Sequence, residues 1–305
     1  MVLDAHLDCK SLELYFVKAD FFLLLQPMID SIIKLALKED IGEGDHTSLS
    51  CVPASAIGHA KLIVKDTGIL AGVELAKRIF NHYDPTLEMK IHLLDGAKVK
   101  PGDIAFEISG KSQSILATER VVLNFMQRMS GIATQTRSIV DLIEGTNAQL
   151  LDTRKTTPGI RALEKWAVTT GGGVNHRFGL YDMVMIKDNH IDYAGGITNA
   201  ITRTVEYLKA KNLKLNIEIE VRDEKELDEV LAVGQVDRIM LDNFTPEEIK
   251  RVLPKIPSHY ETEASGGITI ENIRSYAETG VDFISSGALT HSVRSLDMSL
   301  KAEFK

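Results

Sequence analysis

Apolar and polar positions follow two different periods along the 305-residue chain, and the period changes near residue 145. Ile29, Ile32, Ile33, Ala36 and Leu37 recur at helical spacing, which predicts an amphipathic helix over 29–37. The glycines of "EDIGEGDHTS" then break it. Residues 58–110 read as short strands joined by turns at Asp95-Gly96 and Pro101-Gly102-Asp103. "TERVVLNFMQRMSGIATQT" is a helix: Val122, Phe125, Met126 and Met129 form an apolar stripe, and Arg120, Asn124, Gln127 and Arg128 a polar one. By pattern alone, Arg120 is a solvated helix residue.

Beyond residue 145 short apolar runs alternate with helical stretches. The runs are "NAQLLD", "YDMVMIK", "LNIEIEV", "VDRIMLD", "HYETEAS" and "VDFISSG", and the helices fall near 158–170, 197–211, 223–233, 246–253 and 269–279. Near-continuous apolar strands alternating with helices predict a parallel sheet covered by helices. Six units within ~150 residues favour an incomplete β/α barrel over an open sheet.

Composition narrows the classes. The 44% hydrophobic and 26% charged content is that of a globular protein. A net charge of −8 excludes general affinity for nucleic acid or acidic membranes, so any anion site is built locally. Two cysteines, Cys9 and Cys51, with no CxxC motif exclude a disulfide framework and a Cys/His zinc site, and they fit a reducing cytoplasm. Cys51 reads as a structural residue in a loop. The apolar run Phe21 to Leu25 is far short of the ~20 residues that span a bilayer. Asp4, His6, Asp8, Glu13 and Asp20 do not suit a signal peptide. Residues 1–27 therefore read as an accessory or non-native extension, with globular character beginning at Met28.

In a β/α barrel reactive groups gather where the strands end. Those ends are Asp152-Thr153-Arg154-Lys155, Lys187-Asp188-Asn189-His190, Glu220, Asp242-Asn243, Ser265-Gly266-Gly267 and Ser285-Ser286-Gly287. Any single one could be a helix cap or a solvated loop; six together argue for a rim site. Arg154, Lys155, Lys187 and the pair His176-Arg177 are cations suited to carboxylate or phosphate oxygens. Glu220 and Asp242 can hold a divalent ion, accept from sugar hydroxyls or stabilise a developing cation. The glycine-rich ends "ASGGIT" and "SSGALT" leave backbone N–H groups free to approach a phosphate. With no nucleophile–base pair and no cluster of His or Cys ligands, the pattern suits a reaction driven by positioning and electrostatics on a phosphorylated, multiply anionic substrate.

"DTRKTTPGIR", "GGGVNHRFGLYDMVMIKDNH", "IEIEV", "LDNF", "ASGGIT" and "SSGALTHS", in this order, resemble the quinolinate phosphoribosyltransferase family, and the resemblance runs from about residue 28 to the C-terminus. It implies an α/β fold: an N-terminal α/β sandwich over 28–133, to which 290–305 return, and an incomplete β/α barrel over 134–289 that is catalytic. It implies transfer of phosphoribosyl from phosphoribosyl pyrophosphate to quinolinate with decarboxylation, in NAD biosynthesis. Arg120, Thr153, Arg154, His176, Arg177 and Lys187 are the implied quinolinate-binding set, with Arg120 lent across a homodimer and also meeting pyrophosphate beside Lys155. Lys155, Glu220, Asp242, Ser265, Gly266, Gly267, Ser286 and Gly287 are the implied phosphoribosyl pyrophosphate-binding set. Lys187, Glu220 and Asp242 are the implied catalytic residues, and Glu220 and Asp242 hold Mg²⁺ directly or through the substrate's phosphates. A dimer, or a higher oligomer built from it, is expected, with no nucleic-acid or membrane partner and a cytoplasmic location. The competing readings are a nicotinate phosphoribosyltransferase-like enzyme, a class I aldolase-type barrel with Lys187 as Schiff-base lysine, and a non-enzymatic phosphosugar-binding protein.

Overall fold

The computed structural model describes residues 9–303, with side-chain surroundings from Leu25 onward. Of the proposed extension, residues 1–8 and the side chains up to residue 24, including Cys9 and the start of the apolar run, lie outside the described residues. In chain order the elements are α1 (Cys9–Ile41), α2 (His46–Cys51), β1 (Ile57–Val64), β2 (Gly68–Ile69), α3 (Val73–Tyr83), β3 (Glu88–Ile91), β4 (Lys98–Val99), β5 (Ile104–Lys111) and α4 (Ser112–Leu142). Then follow β6 (Gln149–Leu151), α5 (Arg161–Thr170), β7 (Val184–Ile186), α6 (Asp188–Ala194), α7 (Ile197–Lys211), β8 (Ile217–Val221), α8 (Glu224–Val233) and β9 (Arg238–Asp242). The last are α9 (Pro246–Val252), β10 (Glu261–Ser265), α10 (Ile273–Ala277), β11 (Phe283–Ser285), α11 (Ala288–His291) and β12 (Met298–Glu303).

Two expectations about the N-terminal elements change. Helix α1 does not start near Met28 but runs 33 residues through Pro27. Leu25, Ile29, Ile32, Ile33 and Leu37 form one buried stripe, and the Arg78–Asp30 ion pair at 2.6 Å ties the helix to α3. A boundary at residue 28 therefore cuts a packed element. Cys51 ends helix α2 and is free and exposed, not a loop residue.

The first sheet is antiparallel in the order β12-β1-β5-β3. Alternation gives it two faces. Ala60, Leu62, Val64, Phe106, Ile108, Met298 and Leu300 are buried, while His59, Lys61, Glu107 and Glu303 pair in the open. Helix α3 interrupts the stretch expected to hold only strands; Val73, Ala76, Ile79 and Phe80 are its buried face, and the Phe80 ring meets Phe106 edge-on at 5.9 Å.

The second sheet is wholly parallel in the order β6-β11-β10-β9-β8-β7. All six expected strands are present, and helices α5, α7, α8, α9 and α10 fall where predicted. β6 and β7 share no ladder; a single bridge, Leu151 to Val174, continues β6 at that seam. The architecture is thus α/β, an antiparallel sheet layer joined to an incomplete barrel. Helix α4, 31 residues long, contacts both sheets. On β8, Ile217, Ile219 and Val221 alternate with Glu218 and Glu220, and all five are buried, so the barrel interior takes carboxylates. No helix among the described residues is long and apolar enough to cross a membrane.

Candidate active site

A cavity of about 440 Å³ opens at the C-terminal ends of the parallel strands. β6 delivers Thr153, Arg154 and Lys155; the segment before β7 delivers His176 and Arg177; β7 delivers Met185 and Lys187. Glu220 comes from β8, Met240 and Asp242 from β9, Glu263, Ser265 and Gly266 from β10, and Ser285 from β11. Eleven of the residues singled out in the sequence therefore converge.

Local chemistry explains how each side chain is presented. Thr153 Oγ1 accepts the Lys155 N–H at 3.0 Å, a tight turn that leaves Arg154 and Lys155 exposed. Lys187 caps α6, and its N–H donates to His190 Nδ1 at 2.9 Å, which gives His190 a structural role. The Lys187 ammonium donates to Glu220 Oε2 at 2.8 Å. Asn243 Nδ2 donates to Asp242 Oδ2 at 2.6 Å, and Asn243 itself adopts a left-handed backbone, φ 58°. Its neighbour across the strands, Gly266, has φ 89°, and a Cβ there would lie 2.3 Å from Asn243 Oδ1. Only glycine fits that turn. Gly267 has open space before it, while Gly287 lies against Lys155, whose Cδ would be 2.8 Å from an added Cβ. The Ser286 N–H is committed to Leu151 O at 3.0 Å. Gly267, Ser286 and Gly287 border the cavity residues in sequence without lining it.

The electrostatics divide the rim. Burial and then the Arg154 charge push the Arg177 pKa down, the mark of two guanidinium groups held close together. On the opposite side, burial and the neighbouring Glu220 charge raise the Asp242 pKa, against the pull of Lys187. The site thus has a cationic wall and a carboxylate wall, with a glycine loop beside them.

Beneath lies a layer absent from the sequence reading. His176 Nε2 is 3.0 Å from Glu218 and 3.4 Å from Glu263, all three buried, and Arg238 reaches Glu263 at 3.3 Å while stacking over Phe283 at 4.1 Å. Burial alone would lower the His176 pKa, but the two carboxylates outweigh it and push it up to about 9. The Arg177 N–H at 2.6 Å from Nδ1 asks for a neutral ring. The two carboxylates outweigh that one amide dipole in setting the direction of the shift. Burial and the Glu263 charge raise the Glu218 pKa, whereas His176, Ser285 and Arg238 hold Glu263 low despite its burial. His176, Glu218 and Glu263 are the group of metal-ligand type among the described residues. The group holds a single histidine, and its partners are glutamates at alternate strand positions, not further His or Cys.

Both His176 ring nitrogens thus have partners inside the protein. Arg120 is exposed on α4 and does not line the cavity of its own chain.

Comparison with known proteins gives consistent results. Models of the N-terminal and C-terminal domains of quinolinate phosphoribosyl transferase match residues 45–130 and 132–301. The chain is 48% identical over 290 residues to the carboxylating, chloroplastic nicotinate-nucleotide pyrophosphorylase of Arabidopsis thaliana, covering 90% of this chain and 83% of that protein. It is 45% identical over 290 residues to the decarboxylating quinolinate phosphoribosyltransferase 1b of Nicotiana tabacum, covering 90% and 82%. The solved nicotinate-nucleotide pyrophosphorylase from Francisella tularensis superimposes with a TM-score of 0.84 at 38% identity, covering 91% of this chain and 96% of that one.

Proposed function

The chain belongs to the quinolinate phosphoribosyltransferase family, and from that premise we infer that it transfers phosphoribosyl from phosphoribosyl pyrophosphate to quinolinate and releases carbon dioxide. The products are nicotinate mononucleotide and pyrophosphate, a step of NAD biosynthesis. The observation that carries this reading is the single cavity in which Arg154, Arg177 and Lys187 face Glu220 and Asp242 beside the Gly266 loop.

Arg154, Arg177 and Lys187 bind the two carboxylates of quinolinate, with Thr153 at the same edge. His176, its ring nitrogens turned to protein partners, supplies charge from below rather than a direct bond. A monoacid such as nicotinate would leave cations unpaired, which disfavours it. Lys155 meets the pyrophosphate, and Ser265, Gly266, Gly267, Ser286 and Gly287 border the 5-phosphate. As the ribose C1–oxygen bond to pyrophosphate breaks, positive charge grows on the ribose, and Glu220 and Asp242 stabilise it electrostatically. The pyridine nitrogen bonds to C1 and the ring becomes cationic. The C2–carboxylate bond then breaks, its electrons pass to the cationic ring, carbon dioxide leaves, and C2 takes up a proton. No protein nucleophile is needed. Lys187 spends its side-chain nitrogen on Glu220 Oε2 at 2.8 Å, which disfavours the aldolase reading.

A Mg²⁺ ion fits the donor set. Glu220 and Asp242 stand on adjacent strands with mutual repulsion that a cation would relieve, but Lys187 already occupies one Glu220 oxygen. Glu220 and Asp242 would hold the ion together with the substrate's phosphates, since two carboxylates fall short of a full protein cage. When bound, the ion neutralises phosphate charge.

A homodimer, with higher oligomers built from it, belongs to the same proposal, and its support is Arg120: an exposed arginine on α4, outside its own chain's cavity, is available to a partner's. The cytoplasm is the proposed location, resting on the cysteine pair; the Arabidopsis relative is chloroplastic.

Incubation with quinolinate, phosphoribosyl pyrophosphate and Mg²⁺ should yield nicotinate mononucleotide and carbon dioxide, and excess chelator should abolish it. Folded protein that makes neither product refutes the assignment. For the dimer, Arg120→Ala and Lys187→Ala are refolded together. Random pairing should restore up to about a quarter of wild-type sites if Arg120 acts across the two-fold interface, and none if it acts within its own chain.

A further inference from the structure

The first two turns of α5 carry Arg161, Glu164 and Lys165, and none of them lines the cavity. Lys165 and Asp152 are both fully buried and form an ion pair. Asp152 Oδ1 also accepts the His176 N–H at 2.8 Å, and Lys165 Nζ also donates to His176 O at 2.9 Å. With its amide nitrogen as donor, Asn175 bonds Asp152 Oδ2 at 2.6 Å and Lys165 O at 3.0 Å. On the outer flank, Arg161 donates to Phe178 O at 3.0 Å and to Arg154 O at 3.3 Å.

These bonds all cross one place. The segment 152–155 leaves β6 and the segment 175–178 leads toward β7, and these are the edge strands that share no ladder. Arg154 and Arg177 stand at the tips of the two segments and repel each other. A seam without a ladder, loaded with like charges, needs another tie. A buried ion pair is a poor source of stability, since an apolar pair of the same shape serves the fold as well or better. What an apolar pair cannot do is fix both backbone groups of His176, and so the register of its neighbour Arg177.

We propose that Lys165 and Asp152 are positioning residues that set the separation of Arg154 and Arg177 for a ligand bearing two adjacent carboxylates. The proposal rests on the quinolinate reading given above. It assigns the specificity for the diacid partly to side chains that never touch it.

The test is Asp152→Asn combined with Lys165→Met. Met keeps the volume of the lysine stem, Asn keeps an acceptor for the His176 N–H, and no buried charge is orphaned. KM for quinolinate and KM for phosphoribosyl pyrophosphate are measured separately, alongside thermal unfolding. The expected result is an unfolding temperature near wild type, a quinolinate KM raised at least about tenfold, and a phosphoribosyl pyrophosphate KM within about twofold. Lys165→Arg with Asp152 intact should recover part of the quinolinate KM. Two unchanged KM values, or two that rise together, overturn the proposal. If the double variant does not fold, Asn175→Ala carries the same test, with a smaller rise expected in the quinolinate KM alone; equal effects on both substrates overturn it. Wild-type turnover of quinolinate is the control. Its absence sinks the enzymatic reading and the proposal with it, whereas wild-type turnover without the split sinks only the proposal.

Discussion

On the first sheet Lys61, Glu107 and Glu303 meet across three neighbouring strands with side chains 26%, 23% and 43% exposed; on the second, Glu218 and Glu263 hold comparable alternate positions with none. Both sets are ion-paired, and the pairs differ in kind. In the open, water screens the charges, and each pair contributes little. Inside the barrel, each carboxylate has lost its hydration and depends on His176 or Arg238 to replace it. The buried set lies directly below the cavity, so its cost is borne next to the reacting groups and its benefit is a fixed charge beneath them.

The sharpest way to break this contrast is Glu263→Leu, which leaves Arg238 and His176 with too little compensation. We expect a loss of about 3–5 kcal/mol by urea denaturation; a loss below about 1 kcal/mol would erase the distinction between the two sheets. Next comes pH. The folded pKa of His176 is raised from 6.5 to about 9, so its contribution is fully present below pH 6.5 and is lost as pH rises through 9. Stability should fall across that window by up to about 3 kcal/mol, and His176→Gln should flatten the profile. Arg177→Ala separates ligand binding from stability. It should lower kcat/KM for quinolinate by about 10²-fold or more, yet relieve Arg154 and leave the unfolding temperature level or higher. The smallest effect belongs to Lys61→Ala, a barely measurable change in urea denaturation that shrinks with added salt; a large, salt-independent cost would mean the open ladder behaves like the buried one.

The rim was legible because strand ends are read directly once the strands are placed, and continuous apolar runs such as "RIMLD" placed them. The layer below was not, although its signal was there. Glu218 and Glu220 alternate with isoleucine in "IEIEV", and Glu261 and Glu263 alternate in "ETEAS". In a strand a period of two puts both carboxylates on one face, and reading only the last residue of each strand discarded the inner one. Helix α3 was lost within a stretch read as hairpins, though Val73, Ala76 and Ile79 repeat at three. Lys165 gave no sign, because a lysine on an amphipathic helix is ordinarily solvated, and only the fold brings Asp152 beneath it. The extent of α4 exceeded its periodic core because tertiary packing, more than propensity, sustains long helices.

The pairing of β12 with β1 sets a schedule for the newborn chain. Val64 waits for Met298, and at ~5–20 residues per second the roughly 230 intervening residues take roughly 10–50 s to emerge from the ribosome. Until then β1 is the bare margin of an unfinished sheet, its backbone groups open to any passing strand. Lys61, on the outward side of β1, is a charged side chain of the kind that discourages such pairing at a sheet edge.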